Sequence, residues 1–281
     1  MCLAPPLTHR LGSMDVKLGR VVITGAAGKI GPTVREGLRE EADHLVLVDT
    51  ADIEPDGGAE TAVNADIADR AALREAFSGA DAIVHLAGIA EEGPLDDLLD
   101  ANVRGSLNVL EAARQAGVER IVLFSSNRVT GNYPIHHHVF PDEPPRPDGF
   151  YGVSKVAEEA LGQLYADTFG LQVVALRAGS FEQRPTETRH LATWLSPRDC
   201  VGFVRAALTA PNVNFVAAYA VSGNARRFWD LSVGDGDLGY RPVDDASAYA
   251  AEFPDDDPFW HGGPQGGDFA GPQALLPHLG E

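Results

Sequence analysis

Cysteine is scarce in this chain, at Cys2 and Cys200 alone. Two thiols do not make a disulfide framework, and that suits a reducing compartment. Basic residues are few as well: 22 Lys and Arg stand against 41 Asp and Glu, a formal charge of −19. Such a balance argues against binding a nucleic-acid phosphate backbone. No apolar run approaches the length of a membrane span. The first thirteen residues, MCLAPPLTHRLGS, lack the apolar stretch of a secretion signal. There is no internal repeat and no nucleic-acid motif. These absences predict a cytoplasmic protein with no nucleic-acid or membrane partner. Residues 1–19 are read as a leader or tag outside the fold.

What is present is a chain of 281 residues that is 44% apolar. That is enough for a large core, within reach of one α/β domain with an added lobe. Arg20-Val21-Val22-Ile23-Thr24 is a short β-branched run that stops at glycine, and a segment with helical spacing follows. Between them, Gly25, Gly28 and Gly31 let a turn tighten and let the backbone approach a pyrophosphate at a helix amino end. A second strand, residues 44–49, ends at Asp49, 21 residues beyond Gly28. An acid there can accept hydrogen bonds from an adenosine ribose. No Lys or Arg follows within four residues to hold a 2′-phosphate, so NAD is favoured over NADP.

Residues 62–67 read as a third strand whose Asp66 can meet the adenine amino group. Residues 81–86 read as a fourth, with His85 a core histidine at its end. Ala87 and Gly88 then leave room for ribose and diphosphate. A long helix over 95–115 carries Asn102, and Gly117 suits its C-cap. The fifth strand, residues 120–124, leads into Ser125-Ser126-Asn127-Arg128. Ligands of an open parallel sheet bind beyond the strands' carboxyl ends, so this cluster should share a crevice with Tyr151.

Tyr151 and Lys155 are four apart, which on a helix puts phenol and ammonium on one face. A fixed cation beside a phenol favours the phenolate, and the pair becomes a base able to take a proton from an alcohol. Ser126 can hydrogen-bond the same substrate oxygen. Residues 131–149 are too irregular for an element and read as a surface loop. His136, His137 and His138 lie in it, but adjacent side chains diverge and no spaced ligand set completes a metal site. A sixth strand, 171–176, exits through Arg177 and Ser180 toward the crevice. Arg184, Arg189, His190 and Trp194 follow in a stretch expected to cover the substrate. A helix from Pro197 to about Ala210 and a strand over 214–221 come next, and the tail from about Asp255 reads as extended.

In this order, Thr24-Gly-Ala-Ala-Gly-Lys-Ile-Gly31, Asp49, His85-Leu-Ala-Gly88, Ser125-Ser126 and Tyr151-x-x-x-Lys155 resemble the extended short-chain dehydrogenase/reductases. Ser125-Ser126-Asn127, Arg146-Pro-Asp-Gly-x-Tyr151-Gly-Val-Ser-Lys155, Arg177-x-Gly-Ser180 and Arg189-x-Leu-x-Thr-Trp-x-Ser196 are more narrowly similar to uronate dehydrogenases and related NAD-dependent sugar 1-dehydrogenases. The resemblance implies a Rossmann-type doubly wound parallel sheet over residues 20–177. Residues 178–281 would be mostly a substrate lobe, with a helix and strand returning to the sheet.

It also implies NAD as cofactor and oxidation of C1 of a pyranose uronic acid to the lactone. Tyr151, Lys155 and Ser126 would be catalytic. Gly25, Ala27, Gly28, Lys29, Ile30, Asp49, Asp66, Ile67, Leu86, Ala87, Gly88, Asn102 and Lys155 would hold the cofactor. Asn127, Arg128, Ser180 and Arg189 would hold the sugar, with Arg189 clamping the C6 carboxylate. The partner would be a small anionic sugar, and a homo-oligomer is compatible. Two departures stand out: Arg128 replaces the usual histidine, and Ala90 replaces a serine. A second guanidinium facing the crevice would suit a sulfonate or phosphate, whereas one turned outward would pair with surface acids. An epimerase or dehydratase on the same scaffold, or an NAD-sensing binder, are the other readings.

Overall fold

A computed structural model of the protein describes residues 17–279. Most of the expected leader, residues 1–16, lies outside them, as does Cys2. Strand β1 (Arg20–Thr24) leads through the glycine turn to α1 (Gly31–Leu38), and β2 (His44–Asp49) is followed by β3 (Glu60–Asn64). The chain then runs through α2 (Arg70–Ala76) to β4 (Ala82–His85). The long helix expected next starts as α3 (Leu95–Leu98), widens into a π-helical segment over Leu99–Arg104, and continues as α4 (Gly105–Ala116). Gly117 caps it in the left-handed region.

After β5 (Arg120–Ser126) and an irregular stretch comes α5 (Phe150–Phe169), then β6 (Gln172–Ala178). Two residues each of β7 (Ser180–Phe181) and β8 (Trp194–Leu195) pair outside the main sheet, with α6 (His190–Thr193) between them. Helix α7 (Pro197–Thr209) and β9 (Phe215–Ala220) return to the sheet.

The seven strands pair in the order β3-β2-β1-β4-β5-β6-β9, all parallel. Parallel strands bury both faces, which explains the unbroken apolar runs. Val21, Val22 and Ile23 of β1 and Leu45 to Val48 of β2 are all buried. Each such side chain contributes roughly 1.5–3 kcal/mol on leaving water. One face packs α1 and α7 through Val34, Leu38, Phe203 and Val204. The other packs α2, α4 and α5 through Leu73, Val109, Leu110 and Tyr165. The chain runs outward from β1 to β3 and then crosses back to β4. The carboxyl ends of β1 and β4 therefore flank the crevice where the strand order reverses.

Three expectations change. Strand β3 ends at Asn64, so Ala65, Asp66 and Ile67 belong to the loop beyond its carboxyl end. The stretch 131–149 is irregular, but it is more than a surface loop. Tyr133, Ile135 and Val139 are buried with Tyr219, Phe228 and Trp229 in a third apolar cluster. The tail is not extended: it forms short helical turns at Pro258–His261, Gly267–Ala270 and Pro272–Leu275. Its proline, glycine and aspartate content favours turns over strand, and the turns pack Phe259 and Trp260 against the third cluster.

Candidate active site

At the crevice, Gly25 holds φ +71, and a Cβ there would sit 2.6 Å from the Ala87 nitrogen. A Cβ on Gly31 would lie 2.2 Å from the Ala26 oxygen. These two positions keep the turn tight and α1 close to the sheet. Gly25, Ala27, Gly28, Asp49, Asp66, Ile67, Leu86, Ala87 and Gly88 line one cavity of about 420 Å³. The Ala27 N–H donates to the Asp49 carboxylate at 2.9 Å, which ties the turn to the end of β2. This cradle fits an adenine dinucleotide: close-approach glycines lie under it and an acid stands at its far wall.

A second cavity of about 550 Å³ adjoins the first through Leu86 and Gly88. Lys29, Ile30, Ser126, Asn127, Arg128, Tyr151, Lys155, Ser180 and Arg189 all line it. Tyr151 is the second residue of α5, whose first turn packs on the turn after β5 so closely that a Cβ on Gly152 would meet the Arg128 oxygen at 2.7 Å. The Lys155 ammonium lies 6.0 Å from the Tyr151 ring centroid. It donates to the Phe124 oxygen at 2.8 Å and to Glu158 at 2.6 Å. Burial works against that charge, but Glu158 and the Tyr151 side oppose burial, and the net effect holds the ammonium above its usual value.

Ser126 caps the following turn by accepting from the Arg128 N–H at 3.2 Å. Asn127 is buried and its Nδ2 has no partner among the described residues. Ser180 shares a hydrogen bond of 2.8 Å with Thr193. Arg189 donates to the Gln265 oxygen at 2.9 Å and to the Ser180 hydroxyl at 3.4 Å. Burial pulls its guanidinium down to about 10, with Asp148 and Glu187 opposing.

Two expected residues behave differently. The Asn102 side chain, 1% exposed, closes on the Ile89 backbone, accepting at 2.8 Å and donating at 2.9 Å, and donates to Ser154 at 2.9 Å. It therefore shapes the loop over the cofactor cavity from behind and does not line it. Arg128 neither turns outward nor stands free. It is buried, donating to Asp148 at 2.7 Å and Glu92 at 2.7 Å, with its guanidinium carbon 5.4 Å from the Tyr151 ring centroid. Burial pushes the Asp148 carboxyl above its usual range, and Arg128 counters that.

His85 is a core residue, 2.7 Å from Thr24 Oγ1 and 3.0 Å from Ser106 Oγ. His137 and His138 lie near Glu143 and Asp230, at 2.7 Å and 3.6 Å. Sequence reasoning missed Glu92, Glu158 and Phe269. Glu158 was findable, since three residues after Lys155 is the same helix face. Glu92 and Phe269 reach the site only through tertiary folding.

Residues 21–198 match the family model described as NAD dependent epimerase/dehydratase family. The chain belongs to that family. A uronate dehydrogenase of Agrobacterium fabrum is 40% identical over 230 residues, covering 82% of this chain and 86% of that one. An NAD-dependent glucose-6-phosphate dehydrogenase of Haloferax volcanii is 34% identical, covering 83% of this chain and 96% of its own length. A crystal structure of uronate dehydrogenase from Agrobacterium tumefaciens, a mutant complexed with NAD, superposes with a TM-score of 0.84 at 38% identity, over 90% of this chain and 97% of that one. Within the family the chain thus stands with NAD-dependent sugar dehydrogenases, on the short-chain dehydrogenase/reductase scaffold its motifs resemble.

Proposed function

We propose that this protein is an NAD-dependent sugar 1-dehydrogenase that oxidises C1 of a pyranose uronic acid, such as glucuronate or galacturonate, to the 1,5-lactone. What carries the substrate choice is the charge balance of the cleft. Lys29 pairs with Glu182, Arg128 with Glu92 and Asp148, and Lys155 with Glu158. Among the described Lys and Arg residues lining that cleft, Arg189 alone has no carboxylate within 4.0 Å. One free guanidinium suits a monoanion, and its fork matches a carboxylate in two hydrogen bonds. A phosphate dianion would meet a single cation without an ion-pair partner, among Glu92, Glu182 and Glu187.

In this reading Gly25, Ala27, Gly28, Asp49 and Asp66 hold the dinucleotide, and Lys155 its nicotinamide ribose. NAD supplies the acceptor for the hydride leaving C1. Ser126 positions the C1 oxygen, and the Tyr151 oxygen takes the proton from that hydroxyl as the C1–O bond becomes a carbonyl. The Lys155 ammonium stabilises the negative phenolic oxygen and is itself held charged by Glu158. Asn127 and Ser180 hold ring hydroxyls, while Arg189 fixes the far end, so that reacting atoms meet in one orientation. A cytoplasmic setting is part of the proposal; dependence on NAD and the presence of only two cysteines support it.

The test is NADH formation by the wild-type enzyme with glucuronate, galacturonate, sulfoquinovose, glucose 6-phosphate and glucose. Stoichiometric free NADH with the uronates, at the highest kcat/KM, is the expected result. Preference for the phosphate would overturn the charge argument. Sugar conversion without free NADH would mark an epimerase.

A further inference from the structure

The groups that hold Arg189 come from far along the chain. Its Nε donates to the Gln265 oxygen, 76 residues away, at 2.9 Å. Gly267, at φ +59, backs onto it so closely that a Cβ there would lie 3.2 Å from the Arg189 Cδ. The Phe269 ring centroid is 5.7 Å from the Arg189 guanidinium carbon and 4.7 Å from that of Arg128. Phe269 is 44% exposed and lines the sugar cleft. An aromatic ring at the edge of a charged cleft, with two guanidinium groups near it, is placed to set how those groups face an incoming anion.

The turn itself is fastened to the body of the protein. The Gln265 N–H donates to the Tyr133 oxygen at 2.8 Å, and its side chain donates to the His137 oxygen at 2.7 Å. The Gly266 N–H donates to the Gly131 oxygen at 2.8 Å. These anchors keep the turn from drifting away from the cleft, so it can impose an orientation on what it touches.

We propose that residues 265–269 are the specificity element of the sugar site, and that Phe269 is its positioning residue. The turn fixes one edge of the Arg189 guanidinium on the Gln265 carbonyl and seats its face toward the Phe269 ring, leaving another edge to take the sugar's anion. This deepens the uronate reading and rests on it. Without the ring, Arg189 regains rotamer freedom that binding must then remove, so the loss falls on affinity for the anion. Arg128 keeps its orientation from two carboxylates, and neither Tyr151 nor Lys155 contacts the turn through any hydrogen bond. Turnover at saturation is therefore retained.

Full-length Phe269→Ala, Phe269→Leu, Phe269→Tyr and Gly267→Ala are assayed with D-glucuronate and with neutral D-glucose, and their NAD affinity is measured by calorimetry. In Phe269→Ala, KM for glucuronate should rise about tenfold while kcat stays within about twofold. NAD affinity and kcat/KM for glucose should change by less than about twofold. Phe269→Tyr, which keeps the ring, should match wild type; Phe269→Leu, which keeps only apolar bulk, should resemble Phe269→Ala. Gly267→Ala, which pushes on Arg189, should raise KM for glucuronate in the same selective way. Equal losses on both sugars, weakened NAD binding, or an unchanged KM in Phe269→Ala would overturn the proposal. A wild-type enzyme that rejects every uronate would instead defeat the underlying reading, whatever the variants do.

Discussion

Lys155 bears on both Tyr151 and His85. Its ammonium lies 6.0 Å from the Tyr151 ring centroid, and its charge disfavours a protonated imidazole at His85. Replacing Tyr151 by Phe keeps the ring beside Arg128 and removes only the oxygen that would take the proton in the proposed reaction. Turnover should fall by about 10²–10⁴ while NAD still binds, as a rate assay and a binding titration would show. Near-normal turnover would remove Tyr151 from the chemistry.

His85 is held neutral, its pKa pushed to about 3 by burial and then by Lys155. In the unfolded chain it takes a proton near the ordinary value of 6.5. Between those two values the unfolded state binds the extra proton, so this contribution to stability is complete above pH 6.5 and is lost as pH falls toward 3, at up to about 1.4 kcal/mol per pH unit. Denaturant unfolding of wild type and of His85→Gln across that range should show a shallower acid decline for the variant. Parallel curves would show that some other group sets the slope.

At the scale of elements, the π-helical segment over Leu99–Arg104 is the least regular part of the sheet's cover, and it holds Asn102. Its amide satisfies both the N–H and the C=O of Ile89. Asn102→Ala leaves those two groups short of partners and should cost about 2 kcal/mol or more of unfolding free energy. KM for NAD should rise too, because Gly88, beside Ile89, lines the cofactor cavity. Urea titration and initial rates check both, and a variant as stable as wild type would show that water replaces the amide.

The sequence read as an unbroken helix here because the widened turn leaves no mark in apolar spacing. The strands were legible for the opposite reason: Val21 to Ile23 and Leu45 to Val48 must be apolar on both faces. The glycine turn and the placing of Tyr151 and Lys155 on one helix were legible too, because each is set by spacing a few residues long. Glu92, Asp148 and Phe269 act across gaps that no local pattern records. The tail's turn residues were visible, but what the turns touch was not.

Across the whole molecule, acids exceed bases by 19, and many of the surface ion pairs are exposed. An exposed pair contributes roughly 0–1 kcal/mol, so screening it loses little. Screening the net repulsion gains more, because raising ionic strength from about 0.01 M to about 1 M shortens the Debye length from roughly 30 Å to about 3 Å. Thermal unfolding should therefore shift upward with added NaCl, by several degrees, in a calorimetric scan. A flat or falling midpoint would mean that the ion pairs outweigh the excess charge.

The pinned turn at 265–269 also sets an order of assembly. All seven strands of the main sheet are complete by Ala220, well before that turn in the chain. A polypeptide leaving the ribosome amino end first finishes its nucleotide cleft while the sugar pocket still lacks a side. A protease cut in the exposed Asp255-Asp256 stretch, followed by release of the segment beyond it from its anchors on Tyr133 and Gly131, should return a mature molecule to that half-built condition, capturing dinucleotide but choosing poorly among sugars.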